Sequence, residues 1–203
     1  MKALWVTDRD APGGSRIEEI FSALRGAPGL AVEIRERKAT DREVLALVRT
    51  ARERLGPDVP VSVNRRFDLA LAAGAAGVHL PADGLPPARV RANTPRGFRV
   101  GVSTHSAAEA QAAIEKEVDV VVIGPVFATP SKAAWGEPLG VGELERLPPL
   151  ASHGSEVFAI GGISEERIEE LDPVLDRLSG IAAVRLFQAA PDPRALFERI
   201  AFR

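Results

Sequence analysis

The sequence predicts an α/β chain folded as a single-domain (β/α)8 TIM barrel of minimal length, one domain over residues 1–203. Three observations carry this. Eight short apolar, β-branched runs recur along the chain, and stretches between them show helical spacing or helix-start chemistry. Runs such as V-V-V-I are apolar on both faces of a strand, as in a sheet covered on both sides, which for alternating strands and helices means parallel strands.

The first run is A-L-W-V-T at 3–7, followed by I-E-E-I-F-S-A-L at 17–24, in which Ile17, Ile20, Phe21 and Leu24 share one helical face. A-V-E-I-R at 31–35 is the second, and Thr40 with Glu43 behind it fits a capping box, hydroxyl and carboxylate satisfying free amides. V-P-V-S-V-N at 59–64 and G-V-H-L at 77–80 are the third and fourth. F-R-V-G-V-S at 98–103 is the fifth, with Ser106 and Glu109 as a second capping box. D-V-V-V-I-G at 119–124 is the sixth, and E-V-F-A-I-G-G at 156–162 the seventh. Behind the seventh, Ser164 precedes Glu165 and Glu166, acids suited to the positive end of a helix. I-A-A-V-R-L-F at 181–187 completes the set. An open doubly wound sheet is the rival, but it needs no eighth strand and usually opens on a Gly-rich first turn, absent after Val6.

Composition narrows the function. With 26 basic and 28 acidic residues the net charge is -2, so there is no basic field to drive nucleic-acid binding. No apolar span reaches the roughly 20 residues a membrane helix needs, and the amino terminus lacks a signal-peptide pattern. The absence of cysteine excludes thiolate chemistry and disulfides and makes a cytoplasmic location the default. Only Lys2, Lys38, Lys116 and Lys132 are lysine, in a chain that otherwise takes arginine for its positive charge.

In such a barrel the functional groups belong at the carboxyl ends of the strands, with phosphate favoured after strands seven and eight. That rule collects Arg35, Glu36, Arg37 and Lys38 after strand two, Asn64, Arg65 and Arg66 after strand three, and Ser103 with His105 after strand five. It adds Thr129, Ser131 and Lys132 after strand six, and Gly161 and Gly162 after strand seven. Guanidinium forks, a lysine point charge and glycines that let backbone amides approach closely all suit an anionic substrate, phosphate above all. Blander readings stand beside these: a solvated charge run at 35–38, a simple tight turn at Gly161 and Gly162, a satisfied barrel histidine at His79, and local hydrogen bonding at His105. Asp8 either binds a cation or anchors Arg9, and His153 reads as loop surface. No Ser, His and Asp spacing or close acidic cluster argues for an acyl-transfer triad or a metal site.

V-T-D-R at 6–9, E-I-R-E-R at 33–37, A-A-G-V-H-L at 75–80, G-V-S-T-H-S at 101–106, G-P-V-F-A-T-P-S-K at 124–132 and A-I-G-G-I at 159–163, taken in order, resemble the thiamin phosphate synthase and thiazole tautomerase family. The resemblance covers nearly the whole chain and itself implies a (β/α)8 barrel. It implies an enzyme of thiamin biosynthesis that joins a thiazole phosphate to hydroxymethylpyrimidine pyrophosphate with release of pyrophosphate. By position, Arg35, Asn64 and Lys132 are the catalytic residues it implies, Arg35 and Lys132 at the anionic groups and Asn64 at the pyrimidine. Ser103 falls at the pyrophosphate, Thr129 and Ser131 at the thiazole, Gly162 with Gly161 at the thiazole phosphate, and Arg37 and Arg65 complete the phosphate-binding set. The partner implied is a small phosphorylated heterocycle, with a homodimer as the candidate assembly.

The family's magnesium ligands are two acids, and this chain has Arg65 and Gly84 in their places, with Asp83 one residue away and Ala82 in place of the family's glutamine. Magnesium is the possible cofactor that the resemblance implies, but with its usual ligands replaced no metal or other cofactor is firmly implied. A tautomerase-like relative needs no metal, but the histidine of that branch is Pro125 here, so Glu33, His79 or His105 would have to serve as base. Three readings are open on the sequence: synthase first, then a metal-independent tautomerase-like relative, then a non-catalytic barrel that binds a phosphorylated ligand.

Overall fold

The structure, a computed structural model, describes residues 1–129 and 137–202. Eight parallel strands close into a barrel in sequence order: β1 (Lys2–Val6), β2 (Leu30–Ile34), β3 (Val61–Asn64), β4 (Gly77–Leu80), β5 (Arg99–Thr104), β6 (Val120–Ile123), β7 (Glu156–Ile160) and β8 (Gly180–Ala183). Each pairs with its neighbours, and Lys2 to Trp5 of β1 run beside Gly180 to Ala183 of β8 to complete the ring. Closure in this order is the predicted architecture and excludes the open sheet.

Between the strands lie α1 (Ile17–Ala23), α2 (Asp41–Leu55), α3 (Phe67–Ala72), α4 (Pro87–Arg91), α5 (Ala107–Ile114), α6 (Val141–Leu144) and a 3-10 segment over Glu165–Arg177; α7 (Arg185–Gln188) and α8 (Pro193–Ala201) follow β8. Alternate residues of a strand face opposite sides. One set, such as Ala3, Trp5, Val32 and Ile34, packs outward against the helices, where Ile17, Ile20, Phe21 and Leu24 of the α1 region are buried as their spacing predicts. Trp5 meets Phe21 there, ring centroids 5.3 Å apart. Among the described residues no helix is long and apolar enough to cross a membrane.

Helix starts follow the sequence with informative exceptions. Thr40 accepts from the Glu43 amide while the Glu43 side chain accepts from the Thr40 amide, a complete capping box at α2. Ser106 accepts from the Glu109 amide, but the Glu109 carboxylate takes the His105 amide instead, so only half of the second box forms. The segment after Ser164 winds as a 3-10 helix carrying Pro173, whose missing N–H does not suit an α-helix interior. Strand eight ends at Ala183, and Arg185, Leu186 and Phe187 of the predicted run belong to α7. His153, expected on the loop surface, is half-buried, with both ring nitrogens shielded.

The inner faces of the strands divide the barrel interior by chemistry. Leu4, Val6, Val122, Phe158 and Ala182, from β1, β6, β7 and β8, form an apolar cluster separate from the outer core, with Ile160 and Val184 packed against it. From β2 to β5 the positions near the carboxyl ends carry Glu33, Asn64, His79 and Ser103, opposite Val6 and Val122 of that cluster and the adjoining Ile160. At the amino-terminal end Glu156 receives hydrogen bonds from both Lys2 and Arg99 and caps the barrel with charge.

Candidate active site

The carboxyl-terminal end of the barrel opens into a cavity of about 1550 Å³. That exceeds the roughly 300–1,000 Å³ usual for one small ligand and leaves room for two. Its floor is the divided interior just described.

On the polar half, the Asn64 side-chain amide donates to Glu33 Oε1 at 2.8 Å, and His79 Nε2 lies 2.9 Å from Ser103 Oγ. His79 Nδ1 stands 3.9 Å from Glu33 Oε2, so the four side chains form one continuous polar strip across β2 to β5. Glu33 and His79 are buried. The His79 ring fits because its neighbour in register on β5 is Gly101: a Cβ there would sit 2.7 Å from His79 Nδ1. The satisfied barrel histidine of the sequence is thus also part of the cavity floor. His105 differs. It is exposed, and its Nδ1 lies 2.7 Å from the Gly124 carbonyl, an acceptor that fixes the proton on that nitrogen, so local hydrogen bonding explains its place.

The rim above this floor is rich in arginine. Arg35 is mostly buried beside the cavity, with Nη1 3.4 Å from Asp8 Oδ2. Burial, and then the charge of Arg37, lower its pKa from the ordinary guanidinium value, although Glu33, Asp8 and Glu36 oppose them. An incompletely compensated cation of this kind attracts an anion. Arg37 is exposed and reaches Asp8 at 3.8 Å, so Asp8 anchors Arg35 and Arg37 rather than Arg9, which pairs with Glu18. Arg66 is committed elsewhere: hydrogen bonds from it to Asp68 and Asp41, at the starts of α3 and α2, hold its pKa above the usual range. Arg65 faces the cavity, with Nη2 3.1 Å from Asp83 Oδ1.

On the opposite side, Gly161 and Gly162 adopt φ of 101° and 66° and line the cavity. Both are required by the closeness of the strand-six loop: a Cβ on Gly161 would lie 2.6 Å from Pro125 Cα, and one on Gly162 2.6 Å from the Ala128 oxygen. The tight-turn reading is therefore met, in a turn that borders the cavity. The Phe127 amide donates to the Gly161 carbonyl and sets the chain on course for Thr129. Thr129 Oγ1 receives a 3.0 Å hydrogen bond from Arg185 Nη2. Ser131 and Lys132, predicted at this edge, lie outside the described residues. Arg185 escaped the sequence reading because A-V-R-L-F looks like one strand; placing the strand end at Ala183 would have put Arg185 at the carboxyl end, where the barrel rule finds functional groups.

The chain is similar to known proteins over nearly its whole length. Residues 3–187 match the family described as thiamine monophosphate synthase. The chain belongs to that family. The thiamine-phosphate synthase of Albidiferax ferrireducens is 31% identical over 189 residues, spanning 93% of this chain and 84% of that protein. That of Gloeobacter violaceus is 38% identical over 185 residues, 90% of this chain and 52% of that protein. Among solved structures, a thiamine phosphate pyrophosphorylase from Pyrococcus furiosus superposes with a TM-score of 0.79 at 28% identity, over 99% of this chain and 94% of that one.

The magnesium that the family resemblance implies does not fit the donors present. The Asp83 carboxylate is ion-paired with Arg65, and Gly84 offers no side chain; a Cβ there would sit 2.9 Å from the Pro81 carbonyl oxygen. Among the described residues no three His, Cys, Asp or Glu side chains gather as a cation site. A hard dication takes oxygen ligands, one or two of them carboxylates, and a guanidinium between those positions opposes it.

Proposed function

We propose that this member of the thiamine monophosphate synthase family joins a thiazole phosphate to hydroxymethylpyrimidine pyrophosphate and releases pyrophosphate. The observation that carries the reading is the divided floor: a polar strip on β2 to β5 beneath an arginine rim, facing an apolar half bordered by the Gly161–Gly162 turn. Two substrates of unlike chemistry have two unlike seats, in one cavity large enough for both.

In this reading the pyrimidine lies over Asn64 and Glu33, and its pyrophosphate reaches Ser103 and the guanidinium groups of Arg35, Arg37 and Arg65. The bond from the pyrimidine methylene carbon to oxygen breaks, its electron pair leaving with the pyrophosphate. Fixed guanidinium donors stabilise that charge as it develops. The thiazole nitrogen then donates its lone pair to the methylene carbon and forms the new C–N bond. Thiazole phosphate is held by the Gly161 and Gly162 backbone, Thr129 and Arg185, and packing of its ring on the aliphatic side, Val6, Val122 and Ile160, keeps water from the cationic carbon. Small soluble phosphates as substrates suit a cytoplasmic place of action.

The test is direct. Purified protein supplied with both substrates is expected to form thiamin phosphate, detected after oxidation to its fluorescent thiochrome, in parallel incubations with and without magnesium. No product under either condition overturns the reading.

A further inference from the structure

We propose that Arg65 is a built-in cation for the pyrophosphate, held ready by Asp83, so that this chain binds pyrophosphate without a divalent metal. The proposal rests on the two-substrate reading for the identity of the anion, but its geometry stands on its own.

Arg65 follows the last residue of β3 with φ of 63°, a left-handed conformation that costs a non-glycine residue about 1–2 kcal/mol. The conformation is held on both sides: the Arg65 amide donates to the His79 carbonyl at 2.8 Å and the Arg66 amide to the Asn64 carbonyl at 2.7 Å. Bent in this way, the chain turns the Arg65 side chain to the cavity wall, while Arg66 is tied down between Asp41 and Asp68.

The only ion-pair partner of Arg65 among the described residues is Asp83, and both side chains are well exposed, at 57% and 79%. An exposed pair of this kind is worth about 0–1 kcal/mol, because water screens it and two long side chains must be ordered to make it. It repays little of the backbone strain. It does keep the guanidinium at the mouth at little energetic cost to release. A pyrophosphate offers more acceptor oxygens and more charge than one carboxylate, and a guanidinium fork meets two of those oxygens at once. Exchange of Asp83 for pyrophosphate therefore favours the bound state. Asp83 is in this view a placeholder for the anion and not a residual metal ligand.

Two properties separate these roles, and both are read by calorimetry with inorganic pyrophosphate, independently of turnover. The wild-type protein is expected to bind pyrophosphate in a buffer with EDTA, and excess magnesium, which competes for the same oxygens, is expected to leave the dissociation constant unchanged or to raise it. Arg65→Ala is expected to weaken binding by about 10- to 100-fold in both buffers, the value of a charge-assisted contact. Asp83→Ala, on an exposed loop, removes the competitor and is expected to bind pyrophosphate as tightly as wild type or more tightly. Circular dichroism melts of each variant establish that the barrel is intact, and Arg65→Gly, which relieves the left-handed strain, repeats the charge deletion if Arg65→Ala fails to fold. Magnesium tightening wild-type binding more than about tenfold, loss of binding in Asp83→Ala, or full affinity in both Arg65 variants each overturns the proposal. Product formed only with magnesium, alongside magnesium-dependent pyrophosphate binding, would sink this inference and leave the synthase reading standing. Metal-independent pyrophosphate binding without product would do the reverse.

Discussion

The two ends of this barrel hold their charges at different separations and beside cavities of very different size. At the amino-terminal end one carboxylate, Glu156, meets two cations, Lys2 and Arg99, in a closed set beside a cavity of only about 40 Å³. At the carboxyl-terminal end Arg35 is buried beside a carboxylate 3.4 Å away, Arg37 reaches the same carboxylate at 3.8 Å, and Arg65 leans on an exposed one. The closed end satisfies its charges and contributes to stability. The open end holds its guanidinium groups at looser separations from their carboxylates, 3.1 to 3.8 Å, around a large cavity, the arrangement that the proposed anion site uses. Substitutions at the two ends should accordingly divide between activity and stability.

The largest expected effect is at the open end. Arg35→Ala removes the most buried guanidinium of the rim, and if that group binds the pyrophosphate as charge develops, turnover should fall by about 10²- to 10³-fold, the range for one preorganised donor. The melting temperature should stay within a few degrees, or rise, because a desolvated cation has been removed. Steady-state kinetics beside a thermal melt checks both. A large drop in melting temperature with activity preserved would mean that Arg35 is structural and the two ends are alike.

Between the ends lies Gly101, beneath His79. Gly101→Ala places a methyl group 2.7 Å from His79 Nδ1, and overpacking of this kind costs about 1–3 kcal/mol. The ring must move, and its contact with Ser103 moves with it. Both stability and activity are expected to fall, unlike the effect of either end alone. Denaturant melts and pyrophosphate affinity measured on the same sample would show it; stability lost with affinity intact would separate the histidine from the binding floor.

How much of this was legible follows from which signals are local. The strands were, since each is a short apolar run between turn residues, and the α2 capping box was, since Thr40 and Glu43 stand three residues apart. The end of β8 was not, because A-V-R-L-F carries no breaker to mark where strand gives way to helix. Arg185, the residue hidden by that error, was missed for the same reason. Arg35, Asn64 and Ser103 could be placed by the rule that strand ends carry function, and the structure sets them on one side of one cavity. Their coupling through Glu33 and His79 depends on the register of four strands, which single-chain periodicity does not fix. The Asp83 partnership of Arg65 is likewise a contact across 18 residues that no spacing rule anticipates.

The smallest expected effect, and the sharpest in its pH signature, belongs to the closed end. Burial by itself would raise the Glu156 pKa, but the hydrogen bonds from Lys2 and Arg99, together with their charges, outweigh it and hold the carboxylate below its ordinary range. A carboxyl group whose folded pKa is depressed stabilises the fold at every pH above its unfolded value, about 4.3 for an unperturbed Glu, and that contribution is lost as pH falls through the folded value. Glu156→Gln should therefore cost about 1–2 kcal/mol at neutral pH, discounted for the partial exposure of the cluster, or roughly 2–8 °C in melting temperature for a chain of this size. The gap between variant and wild type should hold from neutrality down to about pH 4.3 and close below it, because protonated Glu156 and glutamine are both neutral. Turnover at neutral pH should be unchanged in the folded fraction, since the proposed anion site lies at the other end of the strands. A gap that persists unchanged into acid would mean that packing, and not the ion pairs, closes this end.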